Sequence, residues 1–199
     1  MLSLSTGKKL IGLARKELEF SFRGQEVSKW EVPSELKEKR GLFVTLYSYP
    51  DRKLRGCIGF PRCVLPLYSA VKEAVKSSAF EDPRFTPLIE EELKDITIEI
   101  SVLTKPILIK KQGDDLKKEI EIGKDGLIME YSGYSGLLLP QVPVENKWNL
   151  DKFLDQLCLK TGVSPKTWRK SSCKIFKFQA QIFSEISPNG DVKEISLKC

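Results

Sequence analysis

Two short stretches hold residue types that could do chemistry: LRGCIG at 54–59 and FEDPRF at 80–85. In the first, Cys57 sits between Gly56 and Gly59, with Arg55 two residues before it and Arg62 after it. Glycines inside a strand cost stability, and they mark a bulge or a backbone that something approaches closely. A thiol beside cations ionises more readily and is a better nucleophile. The stretch therefore reads as a reactive thiolate, or as an anion site made from Arg55 and exposed backbone N–H groups. A buried strand cysteine explains the same residues, since free cysteine packs as a small apolar side chain. Strand alternation places Arg55 and Cys57 on one face, where they could cooperate.

In FEDPRF, Glu81, Asp82 and Arg84 surround Pro83, with Phe80 and Phe85 as apolar anchors on either side. A rigid loop pinned by aromatics presents a carboxylate or a guanidinium well. An Asp-Pro turn with a local Asp82–Arg84 pair fits equally. A third cluster, GYSGLLLPQVPVE, places Gly133, Gly136, Gln141 and Glu145 around an apolar strand, but no GK[ST] follows to make a phosphate loop.

The sequence contains no histidine, which excludes Ser-His-Asp and Cys-His catalysis and the His-containing zinc sites. Proton transfers would fall to Cys, Asp, Glu, Lys, Tyr or water. The five cysteines, Cys57, Cys63, Cys158, Cys173 and Cys199, form no CxxC, so no metal site is expected.

The elements that must position these residues follow from periodicity. Residues 5–20 read as an amphipathic helix with Leu10, Ile11, Ala14 and Leu18 inward and Ser5 or Thr6 as cap. The polar segment 21–40, with Trp30 and Val32, is expected to wrap the surface. GLFVTLYS (41–48) and LRGCIGF (54–60) form a hairpin through the YPDRK turn. Residues 65–80 form a helix with Pro66 in its first turn. That helix is expected to start close to the motif and to be long enough, roughly 20 Å, that FEDPRF must fold back to reach Cys57. Glu90 to Leu93 suggest a short helical turn, and DITIEISVLT (95–104) alternates as a strand. Residues 107–122 show weak pattern. GLIMEY (126–131) and GLLLPQV (136–142) flank a turn. A helix spans 149–162 and stops at Gly162. Ser164-Pro165 starts a short helix with Trp168, 173–186 forms a long strand, and the tail beyond Pro188 is turn-like. Strands and helices do not alternate as βαβ units, so the fold class is α+β, an antiparallel sheet packed with several helices. A subdomain boundary is expected near 105–125.

The 33 Lys and Arg against 27 Asp and Glu give a net charge of +6. Residues 147–177 hold eight Lys or Arg and two Asp, an excess equal to that of the whole chain. A solvated helix face followed by an edge strand bearing lysines accounts for this, and no RNA-binding aromatic motif accompanies it, so nucleic-acid binding ranks last. The N-terminal residues mix charge with apolar residues and do not read as a signal peptide. No apolar run approaches the ~20 residues of a membrane span. A soluble, reduced, cytoplasmic protein is expected.

LRGCIG, SAFEDPRF, IEISVLT, GKDGLIM, SGLLLPQV, Trp148, FLDQLCLKTG and Trp168 occur in the order expected for the AMMECR-domain family, named for the Alport, midface-hypoplasia and elliptocytosis critical-region protein. The chain resembles an archaeal stand-alone member over roughly residues 5–187, so 1–199 is read as one such domain. The resemblance implies an α+β fold with a larger and a smaller subdomain, and it marks Arg55, Gly56, Cys57, Ile58 and Gly59 as the functional segment. It implies no reaction, substrate or cofactor. It associates microbial relatives with Memo-like and radical-SAM proteins, and eukaryotic ones with regulation. The leading expectation is an enzyme acting on a small molecule or in a modification pathway. Cys57 and Asp82 are its catalytic candidates, and Arg55, Gly56, Gly59, Glu81 and Arg84 are its binding residues. The alternative is an interaction module docking a peptide or small anion.

Overall fold

The computed structural model describes residues 1–25 and 32–196. Trp30 and Cys199 lie outside the described residues. The chain divides into two compact units, residues 1–103 with 181–195, and residues 104–180 with 196–199.

In the first unit, helix α1 (Leu4–Phe22) opens the chain. Its cap is Ser3 rather than Ser5 or Thr6: the Ser3 hydroxyl accepts from the Thr6 amide. Strands β1 (Leu42–Ser48) and β2 (Leu54–Phe60) form the expected antiparallel hairpin, with Leu42 opposite Phe60 and Thr45 opposite Cys57. Helix α2 (Leu67–Phe80) follows, with Pro66 just before its first turn. A 3₁₀ segment, Glu90–Asp95, leads into strand β3 (Ile96–Leu103), which pairs antiparallel with β1.

The apolar sides of these strands, Leu42, Val44, Leu46, Ile98, Ile100 and Val102, pack with Leu10, Ala14, Leu18, Val71, Ala74 and Val75 of the two helices. Burying such side chains supplies roughly 1.5–3 kcal/mol each against an exposed position. The alternation in β3 marks a strand, but it does not separate inside from outside. Thr97, Glu99 and Ser101 are buried too, because β3 is an interior strand.

The second unit contains β4 (Ile107–Leu108), a 3₁₀ segment (Gly113–Glu119), and the hairpin β5 (Asp125–Tyr131) and β6 (Tyr134–Leu138). The hairpin turn is Ser132-Gly133, both at positive φ, which matches the strand twist. GLLLPQV is not strand throughout: β6 stops at Leu138, and a short helix, α3 (Gln141–Glu145), begins after Pro140. Helix α4 (Leu150–Lys160) buries Phe153, Leu154, Leu157 and Cys158. The turn holding Trp168 starts later than expected, at Thr167–Arg169, behind Lys166 at positive φ.

Strand β7 (Lys174–Glu185) gives its first half to β5, with Asp125 opposite Gln179. Its end pairs with β8 (Val192–Ile195) from Ile182 to Glu185, so the tail after Pro188 includes a strand as well as a turn. All of these pairings are antiparallel, and the class is α+β. Among the described residues no helix is long and apolar enough to cross a membrane.

Candidate functional site

The hairpin register slips at one place. Leu46 faces Gly56 and Tyr47 faces Leu54, which leaves Arg55 as an extra residue. A bulge of this kind re-aims a side chain and breaks the alternation. Arg55 accordingly does not serve Cys57. Its Nε and Nη2 donate to the two Glu92 oxygens at 2.7 and 2.9 Å, and its Nη1 donates to the Thr86 carbonyl at 3.0 Å. This bidentate pair holds the Glu92 carboxyl below its ordinary range.

The glycines of the motif are approached closely, but by the protein itself. A Cβ on Gly56 would lie 2.1 Å from the Ser78 carbonyl oxygen in the last turn of α2. A Cβ on Gly59 would lie 2.3 Å from the carbonyl oxygen of Leu42 on the partner strand. Neither glycine leaves its Cβ side open to a ligand. Ser78 completes the junction, its hydroxyl donating to Val44 O and accepting from Ile58 N, both at 2.9 Å. The end of α2, not its start, therefore lies beside the motif.

FEDPRF folds back onto β2. The Asp82 carboxylate accepts from the Cys57 amide at 2.8 Å, and Arg84 Nη2 donates to the Cys57 carbonyl at 3.1 Å. Arg84 also grips Asp82 through Nε (2.9 Å) and Nη2 (2.7 Å). That grip holds the Asp82 carboxyl at about 2, helped by the Cys57 amide, and raises Arg84 in turn. Asp82 is thus an ionised clamp on the backbone and is poorly suited to take a proton from the thiol. Its side chain is 2% exposed and that of Arg84 is 52% exposed. The aromatic anchors are weaker than the sequence suggests. Phe80 and Phe85 are half-buried, while Leu88 is in the core with its amide bonded to Ala79 O at 2.8 Å. Glu81 is exposed, accepts from Ser77 at 2.6 Å, and lines a cleft with Ser21, Phe22 and Lys76.

The Cys57 thiol is half-buried. Thr45 donates to its sulfur at 3.3 Å, and burial raises the thiol above its ordinary value of 9.0, outweighing Thr45 and Arg84, which lower it. The expected pairing of the thiol with Arg55 is therefore corrected: burial works against the thiolate, and Arg84 is the cation that acts on it.

Thr45 faces Cys57 on one side and Glu99 on the other, so thiol, hydroxyl and carboxyl form one row across β2, β1 and β3. Directly opposed residues have Cβ atoms roughly 4.5–5.5 Å apart. Glu99 is 5% exposed, and burial raises its carboxyl above 4.5 even though Arg52 donates to it at 3.0 Å. Arg52 lies over the Tyr47 ring, 4.6 Å from its centroid. Thr45, Ser78, Glu92 and Glu99 were not singled out by residue type. The signal for Thr45 and Glu99 was the polar side of GLFVTLYS and DITIEISVLT, legible once the two strands are paired.

Gly133, Gly136, Gln141 and Glu145 belong to the second unit. There Gly136 is crowded by Thr161, whose amide would lie 2.7 Å from an added Cβ. Three of the eight basic residues of the 147–177 stretch are engaged within that unit. Arg169 bonds Asp114 at 2.6 Å and stacks on Trp168, and Lys170 bonds the Tyr131 hydroxyl at 3.2 Å. Lys177 donates to Glu119 O at 2.6 Å. Among the described residues no cluster of three or more Cys, Asp or Glu could hold a metal ion.

A protein-family model described as AMMECR1 matches residues 11–183, which include both LRGCIG and FEDPRF. The chain belongs to the AMMECR1 family. It is 47% identical over 194 residues to a protein of Methanococcus aeolicus, covering 97% of this chain and 98% of that one. It is 46% identical to protein MJ0810 of Methanocaldococcus jannaschii, covering 99% and 98%. The crystal structure of uncharacterized protein PH0010 from Pyrococcus horikoshii superposes with a TM-score of 0.91 at 44% identity, covering 96% of this chain and 97% of that one.

Proposed function

We propose that this AMMECR1 protein is an enzyme acting on a small molecule or in a modification pathway, and that the row Cys57–Thr45–Glu99 is its working site. The observation that carries the reading is that row: a half-buried thiol, a hydroxyl donating to it, and a carboxyl raised by burial, on adjacent strands in register. Without histidine, a carboxyl lifted toward neutrality is the available acid or base, and burial is how such a group is tuned. Cys57 attacks an electrophilic carbon. The sulfur–carbon bond forms as the C=O π pair moves to oxygen, the thiol proton passes by way of water to that oxygen, and the Thr45 hydroxyl steadies the sulfur. The half-exposed Arg84 guanidinium lies beside the thiol and faces the developing negative charge. Arg84 replaces Arg55 as the residue that seats an anionic group of the substrate, because Arg55 is spent on Glu92.

Asp82, with both oxygens occupied, positions rather than reacts. Gly56 and Gly59 act by letting α2 and β1 approach. The test is untargeted metabolite profiling of a cell extract incubated with the protein or with Cys57→Ala. At least one metabolite consumed by the parent and untouched by C57A supports the enzyme. Identical profiles for the two proteins remove it and leave the interaction module, for which Arg84 would supply the charge-assisted bonds to an anion or peptide.

A further inference from the structure

We infer a second binding site in the first unit, a cavity of about 390 Å³ between one face of α1 and the turn before β8, shaped for a small zwitterion of the α-amino-acid type. Its floor is Gly12. That glycine sits in the middle of a 19-residue helix, where glycine costs stability relative to alanine. The fold gives no reason for it: its φ is not positive, and a methyl group placed there would touch nothing. An unfilled position over open space leaves helix backbone bare inside a cavity, which is what a closely approaching ligand requires.

Lys8 and Lys16 stand one turn before and one turn after Gly12 on the same face, each about 6 Å along the axis. Both are exposed and make no ion pair or hydrogen bond among the described residues, so their ammonium groups can converge above Gly12. Arg15, also in the wall, is not available to a ligand. Its guanidinium is buried and bonded to Glu185, Leu93 O and Ile96 O.

With Arg15 and Glu185 neutralising each other, the remaining charges are two lysines and two carboxylates, Glu19 and Asp191. A dianion would meet those carboxylates, and a dication would meet the lysines. A zwitterion satisfies both, with its carboxylate between Lys8 and Lys16 and its ammonium toward Glu19 and Asp191. Ile11 and Val192 supply an apolar wall for a small side chain. None of these residues belongs to the Cys57 row, and the site stands or falls independently of it.

The test is an amide NMR titration with L-leucine, 4-methylpentanoate (leucine without its amine) and 3-methylbutylamine (leucine without its carboxylate), on the parent, Gly12→Leu and Lys16→Ala. Saturable shifts at Gly12 and at residues 189–191 with leucine, and with neither single-charge analogue, support the site. Weakening by about tenfold or more in G12L and K16A completes the support. Gly12→Ala controls for folding: its melting temperature should rise by about 2–4 °C, because its methyl group meets open space. Absence of shifts with leucine overturns the inference. So do equal shifts with 4-methylpentanoate, or unchanged binding in G12L.

Discussion

Hairpin β1–β2 carries Gly56 against the last turn of α2, and hairpin β5–β6 carries Gly136 against Thr161 at the end of α4. In both, a glycine within the second strand lets a helix end come within backbone contact. What the chain does next separates them. After α4 it turns at Gly162 and folds back on its own helix, where Asp155 accepts from the Lys166 amide at 2.9 Å and from Trp168 Nε1 at 3.0 Å. After α2 it returns to the strand. Asp82 and Arg84 take the amide and carbonyl of Cys57, and Arg55 reaches out to Glu92. The same packing device thus serves two ends. In one unit it closes a helix, and in the other it covers the outer edge of β2 and leaves a thiol facing Thr45. A glycine in a strand is therefore evidence for a close helix, and the residues after that helix decide whether chemistry is placed there.

The largest effect expected from this comparison is at the two glycines. Gly56→Ala drives a methyl group into the Ser78 carbonyl and should cost about 2–3 kcal/mol or more, the upper part of the range for overpacking. Gly136→Ala meets the side chain and amide of Thr161 and should cost less, about 1–2 kcal/mol. Urea denaturation midpoints give both values, and a G56A protein as stable as the parent would break the parallel.

The clamp comes next. The Asp82 carboxyl falls from 3.8 to about 2 in the folded protein, so its stabilising effect is complete above pH 3.8 and is lost as pH falls toward 2. With Arg84 half exposed and screened by solvent, Asp82→Asn should cost on the order of 1–2 kcal/mol at pH 7. It should also flatten the acid limb of the stability curve between pH 4 and 2, read from midpoints at each pH. An unchanged acid limb would mean that the Arg84 grip contributes nothing.

The architecture was readable where one pattern decided it. GLFVTLYS and LRGCIGF announced a hairpin, and residues 5–20 and 65–80 announced amphipathic helices, because spacing alone sets which face is apolar. Side-chain aim was not readable where the backbone departs from regularity. The bulge at Arg55 turned the guanidinium from Cys57 to Glu92, which no alternation rule reveals. Glu99 looked like the polar side of a half-buried strand, and only the position of β3 inside the sheet shows that it is buried. Ser78 was hidden as a polar residue on a helix, since its two hydrogen bonds reach strands 34 and 20 residues earlier in the sequence.

The claim that Cys57, Thr45 and Glu99 act as a row is tested most directly by the pH dependence of Cys57 alkylation in the folded protein, followed by peptide mass. Burial predicts a midpoint above 9.0 for the parent. The Glu99 charge raises the thiol and Arg84 lowers it, so Glu99→Gln should move the midpoint down and Arg84→Gln should move it up. Cys158, in the core, should stay unlabelled throughout. A Cys57 that reacts only after denaturation, or a midpoint that neither substitution moves, would contradict the account and leave this thiol as packing.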